Sequence, residues 1–265
     1  MSIRPSDHSA QSAIEKAATL LLVRDELSGS GSGSGSGIQV FMLERPSRGA
    51  FPGLHVFTGG KVDATDLSLL SNTSWQGPSS NAAARLLNSD DDPLCYWMAA
   101  VRECYEESGV LLGNQSGQPL DPPTVLALST ARAEEFGALC KRLGITLDFA
   151  ALHYFAHWIT PEIAPRRFDT RFFVARLPEG QRASFAPGET VSGEWVTPAE
   201  ALARAEDGRW NLIMPTLTSL RSLLPYQSVD DLLAFVRKFE HLPDYTEHLR
   251  SEGMQPGIDP ALREQ

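Results

Sequence analysis

The chain has 265 residues, 42% of them hydrophobic, three cysteines and a formal charge of −10. That length and apolar content can bury a sizeable core and suit one elaborated domain better than two independent ones, while the acidic balance argues against nonspecific binding to nucleic acid, whose phosphates require a basic face. No apolar run reaches the roughly eighteen residues of a membrane span, and Met1 to Gln11 lacks the apolar centre of a signal peptide. Neither membrane insertion nor secretion is therefore expected, and the cytoplasm is the default compartment.

In chain order, Ala17 to Arg24 and Ile38 to Glu44 are short apolar runs rich in Leu, Val, Ile or Phe, and they read as two strands of a hairpin. Between them, Ser28 to Gly37 is a Ser-Gly alternation that cannot bury apolar surface, so residues 28–37 are expected to form a flexible loop without chemistry, of natural or engineered origin. Residues 67–92 contain Ser71-Asn72-Thr73-Ser74 and Gly77-Pro78-Ser79-Ser80, a turn-rich composition that suggests an inserted loop.

A helix is expected from 93 to 108. Asp90-Asp91-Asp92-Pro93 offers an acidic N-cap with proline at the first helical position, and Gly109 suits a left-handed C-terminal residue. Leu94, Trp97, Met98, Val101 and Tyr105 fall on one stripe, and Glu103, Glu106 and Glu107 fall on the opposite side beside Ala99 and Ala100. Those glutamates are like-charged neighbours in the last turns, where the helix dipole favours cations instead. Arg102, four residues before Glu106, gives partial relief, and a hard divalent cation with oxygen ligands would relieve the repulsion directly. The plain alternative is a solvated acidic face.

Beyond this helix, Asp121 to Leu143 reads as one or two helices, within a helical insertion spanning 121–148. Strands follow at Leu152 to Ile159, Phe168 to Arg176 and Glu194 to Val196. Thr197-Pro198-Ala199-Glu200 combines an N-cap, a first-turn proline and a capping-box glutamate, so a helix starts there. Further helices are expected at Pro215 to Leu224 and Val229 to Phe239, and the polar tail from Leu242 should pack loosely. Cys95 and Cys104 lie about 13 Å apart along one helix, too far for a disulfide. With Cys140 they read as buried free thiols.

Arg166, Arg167 and Arg171 flank Phe168 and Asp169, and guanidinium groups suit bidentate recognition of phosphate. Alternation along the strand would put Arg171 and Asp169 on one face with Phe173. The alternative is surface arginines that offset an acidic protein. His153 and His157, four apart in a strand, should share a face as isolated packing histidines, and His55 is left without a role.

The run Arg102-Glu103-Cys104-Tyr105-Glu106-Glu107-Ser108-Gly109-Val110 resembles the second half of the Nudix box, the signature of hydrolases that cleave a diphosphate linked to another moiety. Gly60-Lys61-Val62-Asp63-Ala64-Thr65-Asp66 resembles its first half, with Asp66 where the family usually has Glu and Thr58 in place of the proline of a Pro-Gly-Gly turn. Residues 67–101 separate the halves where most members have seven residues, and a subgroup with such an insertion includes coenzyme A diphosphatase-like members. Arg45-Pro46 to Phe51-Pro52-Gly53 and Arg166 to Phe173 share that subgroup's character.

The resemblance implies an α+β fold, a Nudix-type α/β/α sandwich with a mixed sheet and additional helices. It implies a Nudix domain over 12–226 followed by a helical extension and tail over 227–265. It also implies Mg²⁺ or Mn²⁺ held by Glu106 and Glu107, with Glu103 and the Gly60 carbonyl nearby, and Glu103 or Glu189 taking the proton from water. Arg102 would orient a neighbouring glutamate, while Gly59, Gly60, Arg166, Arg167 and Arg171 would contact substrate. Glu189 precedes Glu194-Trp195 in the place where family members often supply a further glutamate, although an ordinary loop carboxylate remains the alternative. The expected partner is a small-molecule diphosphate, coenzyme A or a related nucleotide cofactor, with no nucleic acid and no membrane, and a homodimer is left open. The competing class is a catalytically inactive nucleotide-binding sensor or scaffold on the same fold.

Overall fold

The computed structural model describes residues 14–26, 37–48, 52–89, 91–130, 135–162 and 164–239. Most of the Ser-Gly run, Asp90 and the tail beyond 239 lie outside them. The elements run β1 (Ile14–Asp25), β2 (Ile38–Glu44), β3 (His55–Val56), β4 (Thr58–Lys61), α1 (Ala64–Asn72), β5 (Ser74–Gln76), α2 (Ser80–Leu87) and α3 (Leu94–Ser108). There follow β6 (Gly113–Gln115), β7 (Gln118–Pro119), α4 (Pro122–Thr130), α5 (Phe136–Arg142), β8 (Thr146–Asp148) and a 3₁₀ turn at 149–151. The described chain closes with β9 (His153–Ile159), β10 (Arg167–Arg176), β11 (Ser192–Val196), α6 (Pro198–Glu206), α7 (Met214–Leu223) and α8 (Val229–Phe239).

The main sheet is mixed, in the order β11-β2-β1-β10-β9. β1 and β10 are parallel over Ile14↔Arg167 to Val23↔Arg176. The expected hairpin forms, but β1 and β2 pair only over Val23↔Val40 to Asp25↔Ile38 before diverging. β3 and β4 fill the fork, with β3 on Leu43 and Glu44 of β2 and β4 on Ala17 to Leu20 of β1. This crossing carries Gly59 and Gly60 into the sheet.

Side-chain alternation sorts the core into two layers. Ala18, Leu20 and Leu22 of β1, with Phe173 and Ala175 of β10, face α3. Leu21 and Val23, with Phe172 and Val174, face α6, α7 and α8. Helices on both faces of a mixed sheet give the expected three-layer α+β fold. No helix among the described residues is long and apolar enough to cross a membrane. All three cysteines are buried and free.

Several local expectations are corrected. The turn-rich stretch 67–92 is not a loop: it holds most of α1, then β5 and α2, with Ser79 accepting from Ala82 N as the α2 N-cap. β5 pairs in parallel with β8, so a four-stranded sheet, β5-β8-β6-β7, joins the insertion to residues 113–148. Helix α3 begins after Pro93 with no side-chain cap, because Asp92 takes a left-handed backbone (φ 46°) and offers its carbonyl, not its carboxylate, to Cys95 N. Nor is α3 packed on one face alone. Every residue from Leu94 to Val101 is buried, with β1 and β4 beneath and α1, α2 and the 3₁₀ turn around it. At α6, Thr197 caps Glu200 N as expected, but the Glu200 carboxylate accepts from Arg204 instead of closing a capping box.

The two strand histidines do not share a face. The register of β9 on β10 shifts between Phe172 and Phe173, so Phe155 bulges and the alternation restarts. His153 then lies against Arg237 of α8, at 3.5 Å, while His157 bonds Asp169 on the α3 side at 2.7 Å. Phe173 sits at the centre of the α3-side layer, fully buried and 4.7 Å from the Trp97 ring. Phe173→Ala is expected to cost about 3–5 kcal/mol, read as a lower urea midpoint with unchanged slope.

Candidate active site

Gly59 and Gly60 are glycines for reasons of space. A Cβ on Gly59 would lie 2.5 Å from Ala18 O, and one on Gly60 would lie 2.2 Å from Glu103 Oε1. The resemblance placed a Pro-Gly-Gly turn here; the segment is instead strand β4, pressed between β1 and α3, and Gly59 keeps a positive φ of 156°. The acidic side of α3 accordingly lies beside β4, with Glu107 buried and Glu103 and Glu106 partly exposed. Glu103 lies against Gly60, and Glu107 Oε2 accepts from Gly59 N at 2.8 Å. Thr58, in the place of a proline, is buried and donates to Leu20 O at 3.0 Å.

Arg102 organises the carboxylates. Its Nε donates to Asp66 Oδ1 (2.8 Å) and its Nη2 to Asp66 Oδ2 (3.1 Å) and Lys61 O (3.1 Å). Its Nη1 donates to Glu103 Oε1 (2.8 Å) and Glu106 Oε2 (3.0 Å). These five bonds use the five N–H groups of a guanidinium. Asp66, wholly buried, also accepts from Asp63 N at 2.7 Å, which closes the capping box at the start of α1. The sequence offered Arg102 as a partner for its neighbouring glutamates and gave no sign of its tie to Asp66, because thirty-six positions separate the two.

Burial pushes the Glu107 carboxyl up to about 8, with the charges of Glu103 and Glu189 adding to the shift and the Gly59 N–H and Arg45 opposing it. Burial likewise raises Glu103 and Glu106 against the pull of Arg102, and Glu189 adds to the shift of Glu106. Glu189, on an exposed turn where its N–H bonds Ala186 O, is thus within electrostatic reach of the cluster. Arg45, which follows β2, is a site residue that the sequence did not single out. Its charge acts on Glu107, and its Nε is buried with no hydrogen-bond partner among the described residues. Only its position after a strand that runs beside the glycine segment could have marked it.

The remaining candidates make contacts outside the Arg102 clamp. Arg171 is buried beneath Tyr96, 5.6 Å from the ring centroid, with Nε 3.5 Å from Asp169. It shares the α3 face with Asp169 and Phe173, as alternation required. Arg167 donates to Thr160 O, and exposed Arg166 lies 3.6 Å from Glu15. His55 stacks on Trp210 at 4.3 Å, and Glu194 pairs with Arg204 at 2.9 Å.

Among the described residues no three acidic, imidazole or thiol groups converge as a preformed metal cage. Glu103 and Glu106 are turned onto Arg102, and Glu107 onto Gly59 N. The donor chemistry nonetheless fits a hard divalent ion: the available groups are all oxygens, and their carboxyls are held high by burial and mutual repulsion that a cation would cancel.

The NUDT19 Nudix domain family matches residues 79–223, more than half of the chain. The chain belongs to that Nudix family. A Homo sapiens protein named acyl-coenzyme A diphosphatase NUDT19 is 31% identical over 241 residues, covering 74% of this chain and 63% of that protein. Its Gallus gallus counterpart is 29% identical, covering 74% and 64%. The chain thus spans 63–64% of the length of these curated relatives. Among solved structures, a NUDIX hydrolase from Alicyclobacillus acidocaldarius superposes with a TM-score of 0.64 at 26% identity, covering 85% of this chain and 97% of that one. Nudix enzymes of this kind generally need divalent metal ions.

Two measurements test this arrangement. Asp66→Ala leaves the Arg102 guanidinium short of its best partner and is expected to cost about 3–5 kcal/mol in urea unfolding; a loss below about 1 kcal/mol, the scale of a surface pair, would contradict the clamp. A carboxyl raised by folding is tolerated best when protonated, so the stability it permits is greatest below its unfolded value of 4.5 and declines as pH rises toward about 8. In metal-free buffer the melting temperature should fall between about pH 5 and pH 8, and Glu107→Gln should flatten that decline.

Proposed function

We propose that this chain is a metal-dependent Nudix hydrolase that cleaves the diphosphate bond of coenzyme A or a related nucleotide cofactor. The observation that carries the reading is the clamp of Asp66, Arg102, Glu103 and Glu106 against the glycine strand, with Glu107 buried beside it. The names of the curated relatives support the coenzyme A class, and the family match supports the diphosphate chemistry.

Glu106 and Glu107, with Glu103 and the Gly60 carbonyl, are the groups that would hold Mg²⁺ or Mn²⁺. A bound divalent ion of this kind polarises phosphoryl oxygens and lowers the pKa of water. Glu103 or Glu189 serves as the proton acceptor. What supports Glu189 is its exposure on its turn and its charge acting on Glu106 and Glu107. Arg102 acts through Glu103 and Glu106 by fixing their orientation and holds the Lys61 carbonyl in place. Gly59 and Gly60 would contact substrate through strand backbone only, since Ala18 O and the Glu103 carboxylate fill the places of their Cβ atoms. Arg166, exposed at the start of β10, is the most accessible of the three arginines for a substrate anion, while Arg167 and Arg171 would serve through the strand they belong to.

The test is a substrate panel of coenzyme A, acyl-coenzyme A, NADH, ADP-ribose and diadenosine compounds, with Mn²⁺, with Mg²⁺ and with chelator, read by chromatography of the phosphate-containing products. Coenzyme A compounds should be cleaved only with metal, and Glu107→Gln should lower turnover by on the order of a hundredfold or more while the circular dichroism spectrum is retained. Nucleotide binding without cleavage of any compound would favour the sensor or scaffold class instead.

A further inference from the structure

Between β10 and β11 the chain runs through residues 177–191 without helix or strand. Connections of this length are uncommon in a compact domain and usually functional, and this one carries Glu189. Its buried residues are Gln181 and Thr190, both polar. An apolar side chain would anchor a loop by burial alone. A buried polar one needs hydrogen-bond partners, and those partners fix its distance and direction as well.

Gln181 finds its partners on Leu111, just beyond the end of α3. Its Oε1 accepts from Leu111 N at 2.9 Å and its Nε2 donates to Leu111 O at 2.8 Å. Leu111 is wholly buried, so its peptide groups depend on that amide in place of water. Further along the connection, Ser184 N donates to Ser108 O at 2.9 Å, one of the carbonyls left open at the end of α3. Thr190 closes the turn that carries Glu189: its N–H donates to Ala186 O at 3.0 Å, and its Oγ1 accepts from Ala186 N at 3.2 Å. Beyond it, Val191 N donates to Glu44 O at 2.9 Å, next to Arg45. The Glu189 turn is therefore hung between the end of the helix that bears Glu103, Glu106 and Glu107 and the end of β2. Glu103 is already bonded to Arg102 Nη1, whereas Glu189 is exposed and bears on Glu106 and Glu107 by charge.

We propose that Gln181 is a positioning residue: its clasp on Leu111 fixes the connection that holds Glu189 toward Glu106 and Glu107. There the Glu189 carboxylate takes a proton from the attacking water. The water oxygen bonds to phosphorus as the bridging P–O bond breaks, and the departing phosphate keeps the electron pair of that bond. The proposal rests on the hydrolase reading above and commits it to Glu189, not Glu103, as the acceptor.

The experiment measures turnover of coenzyme A in excess Mg²⁺ by the full chain, by Gln181→Ala, by Glu189→Gln and by the double variant, together with amide hydrogen exchange over 108–112 and 178–191. Gln181→Ala should lower kcat by about tenfold or more, the scale of a misplaced catalytic group, with KM within about threefold. It should also speed exchange at Leu111 and across 182–191. The double variant should turn over within about threefold of Glu189→Gln, because without the acceptor Gln181 has nothing left to position. Glu179→Ala, at an exposed place in the same connection, should behave as the unaltered chain does. Gln181→Met, close to glutamine in volume and without either hydrogen bond, takes the place of the Ala variant if that does not fold. In the unaltered chain the amides of Leu111, Ser184 and Thr190 should be protected, and exchange there at the rate of a free loop overturns the clasp with no variant needed. Unchanged kcat in the Gln181 variant, losses that multiply in the double variant, or full kcat in Glu189→Gln overturns the proposal and leaves the hydrolase reading standing with Glu103 as acceptor. If the unaltered chain cleaves nothing in the substrate panel with either metal, the hydrolase reading itself fails.

Discussion

One guanidinium sets the geometry of the candidate site. Arg102 lies in the second half of α3 with a fixed fork of five donors, satisfied from three elements: Asp66 of α1 takes two, the Lys61 carbonyl of β4 takes one, and Glu103 and Glu106 of its own helix take one each. A planar fork cannot be filled this way unless α1, β4 and α3 are all in place. The charge of Arg102 is locked on, since its carboxylate partners outweigh the cost of burial. In return it permits acidic residues on a helix that is buried nearly all round, where unpaired carboxylates would be costly.

The sheet supplies the other half of the constraint. Because β1 and β2 separate after three residue pairs, the short crossing of β3 and β4 can enter between them and bring backbone, without side chains, up to α3. Glycine at 59 and 60 is then a matter of contact: the oxygen atoms of Glu103 and Ala18 occupy the places where Cβ atoms would be. Glu107 takes its hydrogen bond from that same strand backbone. Two elements distant in sequence thus meet as a surface of carboxylate oxygens on one side and bare peptide on the other.

The long insertion between the two halves of the box is part of this assembly. Its first helix begins with the capping box of Asp63 and Asp66, so the residue that clamps Arg102 also starts the inserted segment. Its strand β5 pairs with β8 from a second excursion of the chain, and Trp75 stacks on Phe149 at 5.3 Å across that joint. Helices α1 and α2 of the insertion pack on α3, which is buried at every residue from Leu94 to Val101.

Sequence alone determined the features that arise within a few residues of one another. The strands near 17–24, 38–44, 152–159 and 168–176 follow from local apolar runs, and the end of α3 at left-handed Gly109 and the start of α6 at Thr197-Pro198 follow from local signals, whereas the acidic N-cap expected for α3 does not form. The acidic run on α3 and its Nudix character were legible because i, i+3 and i+4 spacing is a local relation. Tertiary structure alone decided what depends on partners far along the chain: the pairing of Asp66 with Arg102, the strand at 58–61, the inserted helices, the commitment of every Arg102 donor and the reach of Arg45 toward Glu107. A bulge at Phe155 likewise reversed the face of His157, because register is set by the neighbouring strand and leaves no mark in the residues themselves. The physical reason is the same in each case: a side chain's own sequence neighbourhood fixes its backbone preference, whereas its hydrogen-bond partners and burial are fixed by whatever strand or helix is brought against it.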